Sequence, residues 1–212
     1  NSANANYSFG SLHEVMQKGL MQYLKTNNPQ KVLVLGLGGG SCIEILNRKY
    51  KGFFSITAIE IDAEIIHFAK AYFDIEQYTN IKIINGDAQT LTQYIPQEIN
   101  SFDLIIDDGS HINEHVIQSF EFLFPKLKKG GYYVIEDTQT SYWNEYGGTS
   151  VDFNKKGTIY EYFKNKVDAL NFMEFEIENY EPNYYDKNIV AIHFFHNMIF
   201  IHKDDNNEND ND

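Results

Sequence analysis

Cysteine is nearly absent from this chain of 212 residues, which carries one, Cys42. No internal disulfide can form, so a reducing, cytoplasmic setting is expected. Basic residues are scarce too: 17 Lys plus Arg stand against 30 Asp plus Glu, for a net charge of −13. That balance excludes a nucleic-acid partner, because phosphate binding needs a basic face. No apolar run reaches the length of a membrane span, so no membrane partner is expected either. Residues 1–10 lack the basic start and apolar core of a signal peptide and read as a flexible or extraneous end. Residues 204–212 are too polar to pack and read as a disordered acidic tail. Internal repeats are missing as well. What remains, residues 11–203, reads as one domain, and the 42% apolar share of the chain supplies an ample core.

Residues 11–26 carry Leu12, Val15, Met16, Leu20, Tyr23 and Leu24 at helical spacing, and Asn27-Asn28-Pro29 stops that helix. Residues 31–35 form a short apolar run ending in glycines, the pattern of a buried parallel strand. Further strands are expected over 53–60, 81–85, 102–107 and 131–136, and helices over 41–50, 63–73, 88–94, 116–127 and 157–171. Residues 189–195 and 198–202 read as a hairpin around His196-Asn197. The alternation predicts an α/β fold, a doubly wound, mostly parallel sheet of about seven strands closed by a terminal antiparallel hairpin. Residues 139–156 are the longest irregular stretch and are expected to form a loop over the site.

The first strand runs into Gly36-Leu37-Gly38-Gly39-Gly40-Ser41. Glycines at the carboxyl end of such a strand let the backbone approach a ligand closely. The dinucleotide spacing G-x-G-x-x-G would need glycine at Ser41, and the Gly-Lys-Ser/Thr ending of a phosphate loop is missing too. The spacing therefore favours a nucleoside cofactor without a pyrophosphate. Glu60 ends the second strand, where a carboxylate can accept from both ribose hydroxyls. Asp87, after the third strand, could accept from an adenine amino group; helix capping is the alternative for each acid.

With these residues the sequence resembles class I S-adenosylmethionine (SAM)-dependent methyltransferases over roughly residues 31–202. The resemblance implies SAM as cofactor. It places Gly36, Gly38 and Gly40 around the amino-acid part, Glu60 and Ile61 at the ribose, and Asp87 with Ala88 near adenine. Many members have an acid where this chain has Val34, which makes Asp107 the candidate partner for the SAM ammonium. The first half is also similar to polyamine aminopropyltransferases.

The densest group of acids is Asp107-Asp108-Gly109-Ser110-His111, followed after the next strand by Glu136-Asp137. Adjacent parallel strands would bring Asp108, Glu136 and Asp137 together, and carboxylates so close repel unless neutralised. A hard divalent cation such as Mg²⁺ answers that repulsion. It could bind an acceptor hydroxyl and lower its pKa, while His111 takes the proton. The wording from Asp107 to His111, Gly130-Gly131-Tyr132-Tyr133-Val134-Ile135-Glu136-Asp137 and Thr140-Ser141-Tyr142-Trp143 resembles the macrocin O-methyltransferase family. That resemblance implies Mg²⁺ held by Asp108, Glu136 and Asp137, His111 as base, and a sugar-hydroxyl acceptor. Macrocin enzymes carry an extra N-terminal region. Tyr142 and Trp143 are candidates for stacking on the acceptor or for anchoring their loop.

Other readings stand beside this one. His111-Ile112-Asn113-Glu114-His115 matches the H-x-x-E-H pattern of some zinc proteases, which needs both histidines on one helical face. His193 and His196 read as a strand residue and a turn residue, and Cys42 as a small buried side chain. For the whole chain, the leading expectation is a Mg²⁺-assisted O-methyltransferase acting on a sugar or small polyol. An aminopropyltransferase using decarboxylated SAM and a non-catalytic SAM-binding module are the alternatives. A homo-oligomer is left open.

Overall fold

The computed structural model describes residues 29–38, 40–50, 54–88, 90, 95 and 101–207. The predicted helix at 11–26, His13, most of the predicted 88–94 helix and the last residues of the tail lie outside them. Among the described residues, seven strands form one sheet in the order β3-β2-β1-β4-β5-β7-β6. They are β1 Lys31–Leu35, β2 Ser55–Glu60, β3 Ile81–Asn85, β4 Phe102–Asp107, β5 Leu127–Ile135, β6 Ile189–Phe195 and β7 Met198–Lys203. The four longer helices are α1 Ser41–Tyr50, α2 Ala63–Phe73, α3 Asn113–Leu123 and α4 Ile159–Val167. β1 to β5 run parallel, and β7 inserts antiparallel between β5 and β6. No described helix is long and apolar enough to cross a membrane.

Strand periodicity builds two cores. Val32 and Val34 of β1 join α1 residues Ile43 and Leu46 on one face. Leu33 and Leu35 join Phe120 and Leu123 of α3 and Phe163 of α4 on the other. Side chains alternate across a strand, so a run apolar at every position must be covered on both faces. Phe120 centres the second core, packed against Phe124, Tyr133 and Phe163 at ring separations of 4.9, 5.2 and 4.8 Å. Lys203 closes the last strand: its buried ammonium donates to the carbonyls of Phe124, Pro125 and Leu127, which satisfies a charge that burial would otherwise penalise.

Three boundaries differ from expectation. α3 starts at Asn113 and ends at Leu123, while Leu127 already opens β5. Pro125 tightens the chain into a short 3₁₀ turn between them. α4 is shorter than predicted and continues as a 3₁₀ segment, Asp168–Glu174. At the other end, the start of the polar tail is docked: Asn206 donates from its amide to the carbonyls of Leu170 and Asp186.

The loop after β5 is not free coil. It folds into the 3₁₀ turns Thr138–Tyr142 and Asn144–Tyr146. Asn113, 1% exposed, ties it down. Its amide donates to the carbonyls of Thr140 and Tyr146, at 3.1 and 2.8 Å. Its oxygen accepts from Ser141 Oγ and from the backbone N–H of Ile159, at 3.2 and 2.7 Å. One side chain thus joins the start of α3, the loop and the start of α4 with its full hydrogen-bonding capacity. Asn113→Leu strands several buried groups, each costing on the order of 1–3 kcal/mol. Urea unfolding is expected to show a loss of about 2–4 kcal/mol, with faster proteolysis between residues 143 and 157.

Candidate functional site

The chain leaves β1 for β2 on one side and returns at β4 on the other, so the strand order reverses between β1 and β4. A crevice opens at the carboxyl ends of strands at such a switch point. Backbone bonds beyond the strands hold the loops level there. Gly36 N–H donates to Ile59 O, Gly86 N–H to Glu60 O, Asp108 N–H to Leu35 O and Glu136 N–H to Asp107 O. Gly36 has φ +77°, and a Cβ there would lie 1.9 Å from the Asp108 carbonyl oxygen. No other residue allows the first loop to pass so close to the fourth.

The result is a cavity of about 440 Å³, lined among others by Gly36, Gly38, Glu60, Ile61, Asp87 and Ala88, with Asp107, Asp108 and His111 at its other end. Gly40 does not line it; that glycine instead makes room for Ile75. Glu60 is held by two backbone donors, Leu37 N–H to Oε2 and Asp62 N–H to Oε1, at 2.8 and 2.9 Å. Each oxygen keeps a lone pair for a further donor. Capping of α2 falls to Asp62, which frees Glu60 from that role.

Asp107 is 3% exposed and accepts from Tyr133 Oη at 3.0 Å. Tyr133 belongs to the aromatic core, so the core itself orients this acid. Burial pushes the Asp107 carboxyl up to about 7, against the lowering effect of the Tyr133 and Gly109 hydrogen bonds. Burial, then the charges of Asp137, Asp107 and Glu60, also raise Asp108 to about 7. Carboxyls crowded together and raised in this way favour a cationic ligand between them.

His111 and Asp137 face each other from two loops, both in left-handed backbone with φ of 56° and 53°. Non-glycine residues hold that conformation at a cost of roughly 1–2 kcal/mol each. The strain aims His111 Nε2 between two acids, 3.6 Å from Asp137 Oδ2 and 3.9 Å from Asp108 Oδ1. Both gaps exceed a hydrogen bond. Burial lowers the His111 pKa, although Asp137 opposes the shift, so the ring stays neutral and can accept a proton. Helix capping does not explain these acids. Asp137 makes no side-chain cap bond, and α3 is preceded by Ile112. The zinc-protease pattern fails too, because His111 lies before the helix that carries His115.

Ligand atoms of Asp108, His111 and Asp137 all lie within 4.8 Å of one another. Glu136 stands outside this group, whereas the sequence predicts it as a ligand beside Asp108 and Asp137. Its side chain is 6% exposed and its Oε1 has no hydrogen-bond partner. Burial, followed by Asp108 and Asp137, holds its carboxyl well above the usual range. An orphaned buried oxygen beside two further acids is the signature of a place that takes a hard cation. On that observation the donor set fits Mg²⁺.

Tyr142 and Trp143 do not line the cavity. Tyr142 instead joins an aromatic row. It stacks on Tyr160 at 5.4 Å and meets the edge of Phe153 at 5.7 Å, while Tyr160 stacks on Phe194 at 6.1 Å. The Tyr160 hydroxyl accepts from Thr138 Oγ1, one residue beyond Asp137, so the row starts beside the acids. Trp143 packs against Tyr146. Sequence reasoning missed Tyr160, Phe194 and Phe153, because residues this far apart share no local signal. It also missed Gln139, whose amide donates to Asp137 Oδ1 at 3.1 Å, and Asn113. A buried Asn at the start of a helix was the one clue available.

Strand order, the glycine turn after β1 and a cavity at the switch point are those of the class I SAM-dependent methyltransferases, and the chain belongs to that class. Within it, a family model described as the spermine/spermidine synthase domain matches residues 13–156, and the chain belongs to that family. It is 36% identical over 208 residues to mycinamicin VI 2''-O-methyltransferase of Micromonospora griseorubida, covering 94% of this chain and 50% of the relative. Demethylmacrocin O-methyltransferase of Streptomyces fradiae is 35% identical, with 94% and 51% covered. The structure of MycE methyltransferase in complex with Mg, SAH and mycinamycin VI superposes with a TM-score of 0.78 at 30% identity, covering 97% of this chain and 52% of that one. The chain therefore spans about half the length of the curated relatives it matches.

The raised carboxyls set the pH response. Asp107, Asp108 and Glu136 protonate more readily folded than unfolded. Their stabilising contribution is present below the ordinary carboxylate pKa of about 4 and is lost, for Asp107 and Asp108, as pH rises through about 7. In EDTA, the melting temperature is expected to fall between about pH 4.5 and pH 7.5, and Mg²⁺ to restore it chiefly at the upper end. A melting temperature indifferent to Mg²⁺ at both ends would contradict this account of the acids.

Proposed function

We propose that this chain carries out SAM-dependent, Mg²⁺-assisted O-methyl transfer to a hydroxyl of a sugar or other small polyol or natural product. One observation carries the reading: a single cavity has Glu60 and Asp87 along one end and Asp108 and His111 at the other. Cofactor and reaction chemistry thereby share one space. The relatives named for sugar O-methylation support the acceptor class.

In this reading Glu60 accepts from the ribose hydroxyls, with Ile61 beside it, and Asp87 with Ala88 borders adenine. Gly36 and Gly38 pass close to the amino-acid part, with Gly40 shaping the turn, and Asp107 answers its ammonium. Asp108, Asp137 and the orphaned Glu136 hold Mg²⁺, which when bound supplies Lewis-acid polarisation of an acceptor oxygen. His111 Nε2 takes the hydroxyl proton. The acceptor oxygen attacks the methyl carbon in line, the new C–O bond forms as the S–C bond breaks, and the electron pair stays on sulfur. Tyr142, in its aromatic row, and Trp143 receive the remainder of the acceptor.

The family match over residues 13–156 favours a second reading, aminopropyl transfer from decarboxylated SAM to an amine. One experiment separates the two. The protein is offered labelled SAM with free sugars and glycosides, and decarboxylated SAM with putrescine, each with and without EDTA. Methylation that EDTA abolishes, and that His111→Ala lowers by roughly 10²–10⁴-fold, is the expected result. Aminopropyl transfer indifferent to EDTA would replace this reading with the second.

A further inference from the structure

One part of the H-x-x-E-H wording has no role in the chemistry above. His115 lies on the first turn of α3 and lines the cavity, together with Val116 and Ser119. Positions 115 and 119 are one helical turn apart and share a face. Val116 beneath them is 3% exposed and belongs to the core, so that face is rigidly seated. Other lining residues are Ile61, Ile65, Asp87 and Ala88, from the loops and helix that follow β2 and β3. Apolar side chains from one side of the sheet's switch point and a helix face from the other suit a flat heterocycle.

Ser110 holds one ring nitrogen of His115. Ser110 Oγ lies 3.1 Å from His115 Nδ1 and also accepts from the backbone N–H of Ile112 at 3.4 Å. The hydroxyl can donate to Nδ1 or accept from it, so the contact fixes the orientation of the ring in either tautomer. Nε2, on the far side of the ring, is a donor in one neutral tautomer and an acceptor in the other. Adenine presents one amino donor and several ring-nitrogen acceptors. A carboxylate at Asp87 suits the first, and His115 Nε2 can meet a ring nitrogen as donor or the amino group as acceptor.

We propose that His115, with its ring held by Ser110, is a cofactor-binding residue that recognises the adenine end of SAM. The inference rests on the reading of the cavity as the SAM site and adds to it a residue outside the glycine loop and the strand-end acids. Ser110 acts through His115 and is a positioning residue.

The test is calorimetric titration with S-adenosylhomocysteine and with 5'-methylthioadenosine, which keeps the adenosine end and lacks the amino acid. Melting temperatures of each variant establish folding. Loss of one hydrogen bond is expected to weaken both ligands about three- to tenfold in His115→Phe, which keeps a ring and removes its nitrogens. His115→Gln, which keeps a side-chain N–H, is expected to stay closer to wild type, and Ser110→Ala to fall between the two. Unchanged affinity for both ligands in folded His115→Phe and Ser110→Ala overturns the proposal while leaving the cavity assignment intact. Weakened S-adenosylhomocysteine with unchanged 5'-methylthioadenosine overturns it as well, since His115 would then serve the amino-acid end. A wild-type protein that binds neither ligand removes the cavity assignment itself, and this proposal with it.

Discussion

The site depends on how closely two backbones approach at the switch point. The loop after β1 passes against the Asp108 carbonyl with no room for a side chain at residue 36. That contact sets the width of the crevice between β1 and β4. It brings Glu60, bonded to the amide of Leu37 in the same loop, into one cavity with Asp107 and Asp108. Were the loops further apart, the groups proposed to hold the cofactor and those proposed to activate an acceptor would not share a space. Precision here comes from strand ends, which are rigid, and from the bonds that level the loops beyond them.

Around that contact the chain concentrates groups that are unfavourable by themselves. The carboxyls of Asp107 and Glu136 are buried and that of Asp108 is half-buried, all three with raised pKa values; one oxygen has no partner, and two facing residues adopt left-handed backbone. Such features persist only where the surroundings over-determine them. The aromatic core supplies one restraint, through Tyr133 on Asp107. Asn113 supplies another, by fixing the loop that carries the turns after Asp137. Core packing and site chemistry are therefore not separable layers here: Phe120 packs the ring whose hydroxyl orients an acid in the cavity.

Much of the architecture was legible. Runs such as 31–35 and 102–107 are apolar at consecutive positions, and only a strand covered on both faces needs that. Boundaries drifted where composition stays ambiguous: Leu127 suits the end of a helix as well as the start of a strand, and Pro125 was the better marker of the break. In the site, the acids and His111 were legible because they cluster at the ends of consecutive strands. That Asp108, His111 and Asp137 close on one another while a Glu136 oxygen is left without a partner was not, because those distances depend on where two loops meet. The row of Tyr142, Tyr160, Phe153 and Phe194 was equally hidden, since its members come from one loop, one helix and the sheet edge.

The alternation of strand and helix, the glycine turn, and which strand ends carry acids can all be read along the chain. Each is a local property, set by period, by the absence of a Cβ or by a residue's place after an apolar run. Tertiary packing alone settles which acids face one another, which lies orphaned, that Tyr133 rather than a neighbour holds Asp107, and that His115 lines the cavity with its ring held by Ser110. Those outcomes depend on distances of a few ångströms between segments far apart in the chain. Strand order, loop closure and side-chain packing set such distances together, and no single stretch of sequence contains them.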